Sequence, residues 1–365
     1  GKLSREKEVL SNTYSYMRQK MEEARVSMAS ELGKVRIISR AEQPVRPVSP
    51  DIPRNILMAI VIGSLVGFII SSLIEYFDNT IKSVDFIENK QLPILAVIPS
   101  IGNSGAIVKT KTFFLKRYKN LPSLVNGKKT IGDLQRRMVT HEDPKSPISE
   151  AYRSLRTSLM YTAKHTQGSI MVSSPGPGEG KTTTIINLAI TYANLGKKTI
   201  LIDGDLRKPV IHRVFDGENS KGLTRYLSGT EENLDLIISN TDIENLDVIY
   251  NGAIPPNPSE LLGSLLMETL VAKLNDRYDI VLFDAPPILA VTDAIVLARL
   301  VDQFILVVRF GITDKNSINY VLSSLDNIQR SLTGVVLNDL NQKNSYYSTN
   351  YFNYQEYYQT LDTPS

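Results

Sequence analysis

The sequence predicts an α/β fold with a doubly wound, largely parallel sheet, and three observations predict it. Short apolar runs near 169–174, 199–203, 246–250, 279–284, 303–308 and 333–338 alternate with helix-like segments, as strands do when crossover helices join them. A glycine-spaced loop, residues 173–184, separates the first run from the helix-like stretch that follows. Aspartates close the run at 199–203 and the one at 279–284, at the strand end where open α/β sheets place their ligands.

Composition sets the outer limits. The 365 residues are 42% hydrophobic with a net charge of +3, enough for one α/β domain of about two hundred residues plus further segments. The chain has no cysteine, which excludes a disulfide framework and a thiolate site. His141, His165 and His212 lack metal-type spacing. No internal repeat and no cleavable signal peptide is read.

Taken in order, residues 1–54 read as an external helix and a proline-rich segment. Leu10, Tyr14, Met17, Met21, Ala24 and Met28 step by four and three, a heptad-like seam that wants a partner helix. A strand-like Val35-Arg36-Ile37-Ile38 follows Gly33, and Pro44, Pro47, Pro50 and Pro53 stiffen the approach to the next element. Residues 55–74 are uncharged and mostly apolar, the length of about twenty residues that crosses a bilayer as helix, so a single transmembrane helix is predicted over 55–76. Gly63 and Gly67 form a G-x-x-x-G pair that lets two spans pack closely, with chance spacing an equal reading.

Residues 77–144 read as a basic linker. Lys109, Lys111, Lys116, Arg117, Lys119, Lys128, Lys129, Arg136 and Arg137 accumulate against a single acid, Asp133. Beside an anionic leaflet each such charge contributes up to about 1 kcal/mol, so membrane apposition and a plain solvated linker are the two readings. Nucleic-acid binding is not expected: the net charge is small, no recognised nucleic-acid fold is present, and an apolar span lies close by.

The main domain is read over 145–340. Glu150, Arg153 and Arg156 share a broad helical face. In the loop, Gly176, Gly178 and Gly180 free the backbone so that N–H groups of Gly176, Gly178, Glu179, Gly180 and Thr183 can converge on phosphate oxygens, with Pro177 between them. Lys181 is placed to reach the β and γ phosphates, Thr182 offers its hydroxyl to Mg²⁺, and the helix N-terminus adds its dipole. The usual first glycine of a Walker A loop is replaced by Pro175. A dinucleotide fingerprint fails, because its last glycine would fall on Lys181. Asp203 and Asp205 emerge from 199–207, and Asp284 closes a Walker B strand where it can hold Mg²⁺ through a water. Finally, 341–365 reads as a flexible polar tail carrying Tyr346, Tyr347, Tyr351, Tyr354, Tyr357 and Tyr358.

A phosphate loop without its first glycine, then Asp-x-Asp-x-Arg at 203–207, then a Walker B aspartate resembles the bacterial tyrosine kinases of exopolysaccharide and capsule assembly, P-loop NTPases related to MinD and ParA. The MinD-like relatives carry a signature lysine where this chain has Gly176, which favours the kinase branch. The resemblance covers roughly residues 145 to 358. It implies ATP and Mg²⁺ as cofactors and places the Walker A pair on Lys181 and Thr182, the Walker A′ aspartates on Asp203 and Asp205, and the Walker B aspartate on Asp284. It further implies that Glu150, Arg153 and Arg156 pack subunits into a ring, so that one subunit's tail tyrosines enter its neighbour's site. Asn338 matches a position that contacts adenine in MinD-like ATPases.

The front of the chain resembles the C-terminal end of polysaccharide co-polymerases, which implies that it is a fragment of a longer protein working with polysaccharide polymerisation and export machinery and a cognate tyrosine phosphatase. The expected reaction is transfer of the ATP γ-phosphoryl group to tail tyrosines, with Asp203 as first candidate base, Asp205 as second, and Arg207 holding the aspartates or a phosphate. Orientation is where two readings conflict. Arg36, Arg40, Arg46 and Arg54 precede the span and only Lys82 and Lys90 closely follow, which places the N-terminus in the cytoplasm. ATP chemistry demands the opposite, a bacterial inner-membrane protein with its kinase part in the cytoplasm, and we follow it because no nucleotide pool exists outside. A MinD-like ATPase switch and a non-catalytic scaffold are the alternative readings.

Overall fold

The computed structural model describes residues 2–31, 50–100, 138–162 and 168–340. The strand-like 35–38, the basic residues between 109 and 137, and the tail tyrosines lie outside the described residues. The chain divides into two units, Gly1–Tyr76 and Phe77–Ser365.

The first unit holds α1 (Lys2–Glu31) and most of α2 (Ile52–Phe77). On α1 the seam residues Leu10, Tyr14, Met17, Met21 and Met28 are exposed. Helix α2 is 26 residues long, its most apolar 18-residue stretch has a mean hydropathy of 2.5, and none of that stretch is buried, so it is long and apolar enough to cross a membrane. It begins before the predicted span because Pro53 sits in its first turn, where a missing N–H costs no hydrogen bond.

The second unit opens with α3 (Asp85–Asn89), β1 (Ile94–Pro99), α4 (Val139–Glu142) and α5 (Pro147–Thr162). Then come β2 (Gly168–Ser173), α6 (Lys181–Asn194), β3 (Thr199–Asp203), α7 (Ile211–Val214) and α8 (Leu223–Leu227). After these follow β4 (Ile238–Asn240), β5 (Leu246–Ile249), α9 (Pro258–Leu262), α10 (Leu265–Arg277) and β6 (Ile280–Asp284). The unit closes with α11 (Asp293–Ala298), β7 (Gln303–Arg309), α12 (Lys315–Asp326) and β8 (Gly334–Leu340). The sheet runs β1-β8-β7-β2-β6-β3-β5-β4, parallel throughout except for the β4–β5 pair. Strands β2, β3 and β6 are buried along nearly their whole length because each face carries its own apolar layer, one gathered around Phe283 and Met171 and the other around Leu282 and Val172.

All six strands expected between 169 and 338 are present, and among the described residues two further strands were not foreseen. β4 is a short antiparallel edge. β1 corrects the extent of the linker read over 77–144: it pairs in parallel with β8, Ile94 opposite Val335, and buries Leu95 and Ile98. Its run is short and ends at a proline, so only the open edge of β8 makes it a strand. Residues just beyond α2 also belong to the fold. Ile81 donates its N–H to the Thr313 carbonyl (2.9 Å) and accepts from Gly311 (2.8 Å), while Lys315 donates to the Asn79 carbonyl (3.0 Å).

Candidate nucleotide-binding site

β2 ends at Ser173 and the chain must turn at once into α6. Gly178 (φ +79°) and Gly180 (φ +102°) take backbone conformations that side chains resist. At Gly180 space is lacking as well, since a Cβ there would stand 2.0 Å from the Asn338 amide nitrogen. Helix α6 starts directly after Gly180 with no side-chain cap, so its first N–H groups are open to an anion.

Parallel pairing supplies the carboxylates. Asp203 ends β3 and Asp284 ends β6, and the two are register partners. Both are buried, as is Asp205. The Lys181 ammonium reaches across the loop to Asp205 Oδ2 at 3.0 Å and Asp284 Oδ1 at 3.4 Å. Thr182 Oγ1 donates to Asp284 Oδ2 at 2.7 Å. Asp203 Oδ2 accepts the N–H groups of Val210 and Ile211, each at 3.1 Å, while its Oδ1 is buried without a partner.

The electrostatics follow from crowding acids in a dry place. Burial pushes the Asp203 carboxyl well above the usual carboxylate range, and the neighbouring Asp284 adds to it. Burial raises Asp284 too, against the opposing pull of Lys181. For Lys181 burial works against the ammonium, but Asp284 and Asp205 outweigh it and its pKa rises. Glu179, inside the loop, is raised to about 7 chiefly by burial.

The structure brings together Lys181, Thr182, Asp203, Asp205, Asp284 and the loop from Gly176 to Thr183. Arg207 stands apart: it does not hold the site aspartates but forms a two-point ion pair with Asp293 (2.9 and 3.1 Å), which also accepts a hydrogen bond from the Ser259 hydroxyl. The reason is direction, since the strand has ended and the Arg207 side chain points toward α11. Asn338 donates its amide to the Glu179 carbonyl at 2.8 Å, so its donor is engaged on the loop backbone. In the expected assembly set, Arg153 pairs with Glu150 at 2.6 Å on the exposed face of α5. Arg156 turns inward and donates to the Thr191 carbonyl at 2.6 Å, lining a cleft of about 310 Å³ between α5 and the end of α6.

Residue-level reading missed Arg309 and Thr313. Arg309 Nη1 donates to the Gly178 carbonyl (3.1 Å), its Nε to Asp339 (2.8 Å), and the Thr313 hydroxyl donates to Glu179 Oε1 (2.8 Å). Arg309 had one available signal, its place at the C-terminal end of a parallel strand. Thr313 had none, because its contact bridges 134 positions of chain.

Residues 169–338 match the family described as "AAA domain", and residues 2–73 match the one described as "G-rich domain on putative tyrosine kinase". Tyrosine-protein kinase YwqD of Bacillus subtilis (strain 168) is 41% identical over 206 residues, which are 56% of this chain and 86% of that protein. The chain belongs to the bacterial tyrosine-protein kinases. Within this kinase family, tyrosine-protein kinase ptk of Acinetobacter johnsonii is 29% identical over 347 residues, 94% of this chain and 45% of the relative. The chain thus spans about half the length of such curated relatives. The solved kinase domain of Escherichia coli tyrosine kinase ETK matches at a TM-score of 0.62 and 31% identity, covering 73% of this chain and 97% of that one. The kinase fold is accordingly a P-loop NTPase sheet with a membrane-length helix ahead of it.

Proposed function

We propose that the chain is the catalytic part of a membrane-anchored protein-tyrosine kinase that passes the ATP γ-phosphoryl group to tyrosines of its own tail, one copy acting on another. The observation that carries this reading is the Lys181 ammonium held between Asp205 and Asp284, with the Thr182 hydroxyl on Asp284.

The donor set suits Mg²⁺ shared with a triphosphate. The groups are oxygens, Asp203 Oδ1 lacks a partner, and no group of three or more His, Cys, Asp or Glu side chains closes a metal site among the described residues. That fits an ion carried by one or two carboxylates and the phosphates. Thr182, Asp203 and Asp284 would hold it. When bound, it neutralises charge on the phosphates.

The chain's own residues do the rest. Loop amides and the N-terminus of α6 orient the phosphates, and Lys181, released from Asp205, follows charge as it develops on the transferring group. A tyrosine hydroxyl has a pKa of about 10, so it needs a proton acceptor, and Asp203, whose pKa burial raises, is the first candidate with Asp205 the second. Tyr346, Tyr347, Tyr351, Tyr354, Tyr357 and Tyr358 are the acceptors in this reading, and the exposed Glu150–Arg153 pair serves subunit packing. Helix α2 anchors the chain in the bacterial inner membrane with the ATP site on the cytoplasmic side. A polysaccharide export system is the setting, and a tyrosine phosphatase the counterpart.

The test is phosphopeptide mass spectrometry after incubation with Mg-ATP. Tail tyrosines gain phosphate in the native chain and stay bare in Lys181→Met. A native tail left unmodified while ATP is consumed would instead identify a hydrolytic switch.

A further inference from the structure

Glu179 is the acid within the phosphate loop 173–184, and phosphoryl transfer as described gives it no task. Its position is costly for a polyanion site, because a carboxylate there opposes the charge the loop is built to receive. Yet it is only 4% exposed and fully engaged. Oε2 accepts the Gly176 N–H (3.1 Å) and Oε1 accepts the Thr313 hydroxyl (2.8 Å).

Thr313 is itself a fixed post. It is 2% exposed, its Oγ1 accepts the Arg309 N–H (2.9 Å), its own N–H reaches the Arg309 carbonyl (3.0 Å), and its carbonyl takes the Ile81 N–H (2.9 Å). A loop with glycines at 176, 178 and 180 samples many shapes when untethered, and fixing each residue costs about 1–2 kcal/mol. A tether that has already met that cost before the ligand arrives raises affinity.

We infer that Glu179 and Thr313 are positioning residues, a staple that holds the phosphate loop in the shape that receives a nucleoside polyphosphate. The inference rests on reading the loop as the nucleotide site. The staple sets how tightly nucleotide binds rather than how fast the bound nucleotide reacts, since neither side chain faces the carboxylate cluster. Arg309 completes the arrangement: with its guanidinium on the Gly178 carbonyl and on Asp339, it supplies the nearby positive charge that makes the buried acid tolerable.

The test uses the full chain in detergent and a fluorescent ADP analogue with Mg²⁺, alongside ATP kinetics on a tyrosine-containing polymer. Glu179→Ala and Thr313→Val are expected to weaken analogue binding about tenfold or more and raise KM for ATP in parallel, with kcat within about twofold of native. Thr313→Ser, which keeps the hydroxyl, restores native affinity. Hydrogen exchange at the Gly176–Gly180 amides of the ligand-free protein speeds up in Glu179→Ala, a readout that needs no activity. Should Thr313→Val fail to fold, the Glu179→Ala exchange and binding data decide. Unchanged or tighter binding in Glu179→Ala overturns the staple, because removing the charge would then be all that matters. Native protein that binds no analogue overturns the nucleotide site itself, and the staple with it. Binding altered as expected in a chain without kinase turnover sustains the staple while the kinase reading fails.

Discussion

Asn338 at the far end of β8 donates its side-chain amide to the Glu179 carbonyl at 2.8 Å, across 159 positions of chain. The contact closes the phosphate loop from a neighbouring strand and fills the space over Gly180, where a Cβ would meet the same amide at 2.0 Å. Gly180→Ala therefore breaks both the loop's backbone conformation and its lid. It is expected to weaken nucleotide binding at least about a hundredfold while the melting temperature moves by only a few degrees, given costs on the order of 1–3 kcal/mol for such strain. Calorimetric titration with Mg-ADP checks it.

Removing the Lys181 charge leaves Asp205 and Asp284 without their cation in a buried setting. Lys181→Met is expected to abolish tail phosphorylation and to destabilise the ligand-free fold by about 3 kcal/mol near pH 8. The loss shrinks near pH 5.5, because Asp284 and its register partner Asp203, both raised by burial, then take up protons more readily. Urea denaturation at the two pH values measures the difference.

The Glu179 carboxyl has its own signature in pH. Its pKa is about 7 in the fold against 4.5 as the ordinary value, so between these the native state holds more proton than the unfolded one. Its favourable contribution is complete below about pH 4.5 and is lost as pH rises through about 7, a swing on the order of 3 kcal/mol. Glu179→Gln lacks a titrating group and should show a flatter stability profile across that window. Parallel profiles for the two proteins would contradict this expectation.

Arg207 is paired with Asp293 rather than with the site aspartates. Its removal leaves the buried Asp293 with only the Ser259 hydroxyl, so Arg207→Ala should cost about 1–3 kcal/mol of stability. Arg207→Lys should rescue little, because a lysine cannot reproduce the two-point pairing. KM for ATP stays near native in both, which steady-state kinetics would reveal.

By itself the sequence determined what depends on local pattern. Apolar runs at β2, β3 and β6, the glycines that free the loop, and the acids at strand ends are each stated within a few residues, and so is the long apolar stretch of α2. Parallel pairing then had little freedom in where to bring Lys181, Asp203 and Asp284. What only the tertiary structure decided are the contacts made by groups distant in the chain. A linker-like ILAVIP became β1 because β8 had an edge to fill. Arg207 went to Asp293 because of its direction after the turn, Arg156 turned inward to α6, and Glu179 found Thr313 through a packing arrangement that no periodicity records. Side-chain partners of this kind are chosen by geometry in three dimensions, and burial, which strengthens them and shifts their proton affinities, exists only once the chain has folded.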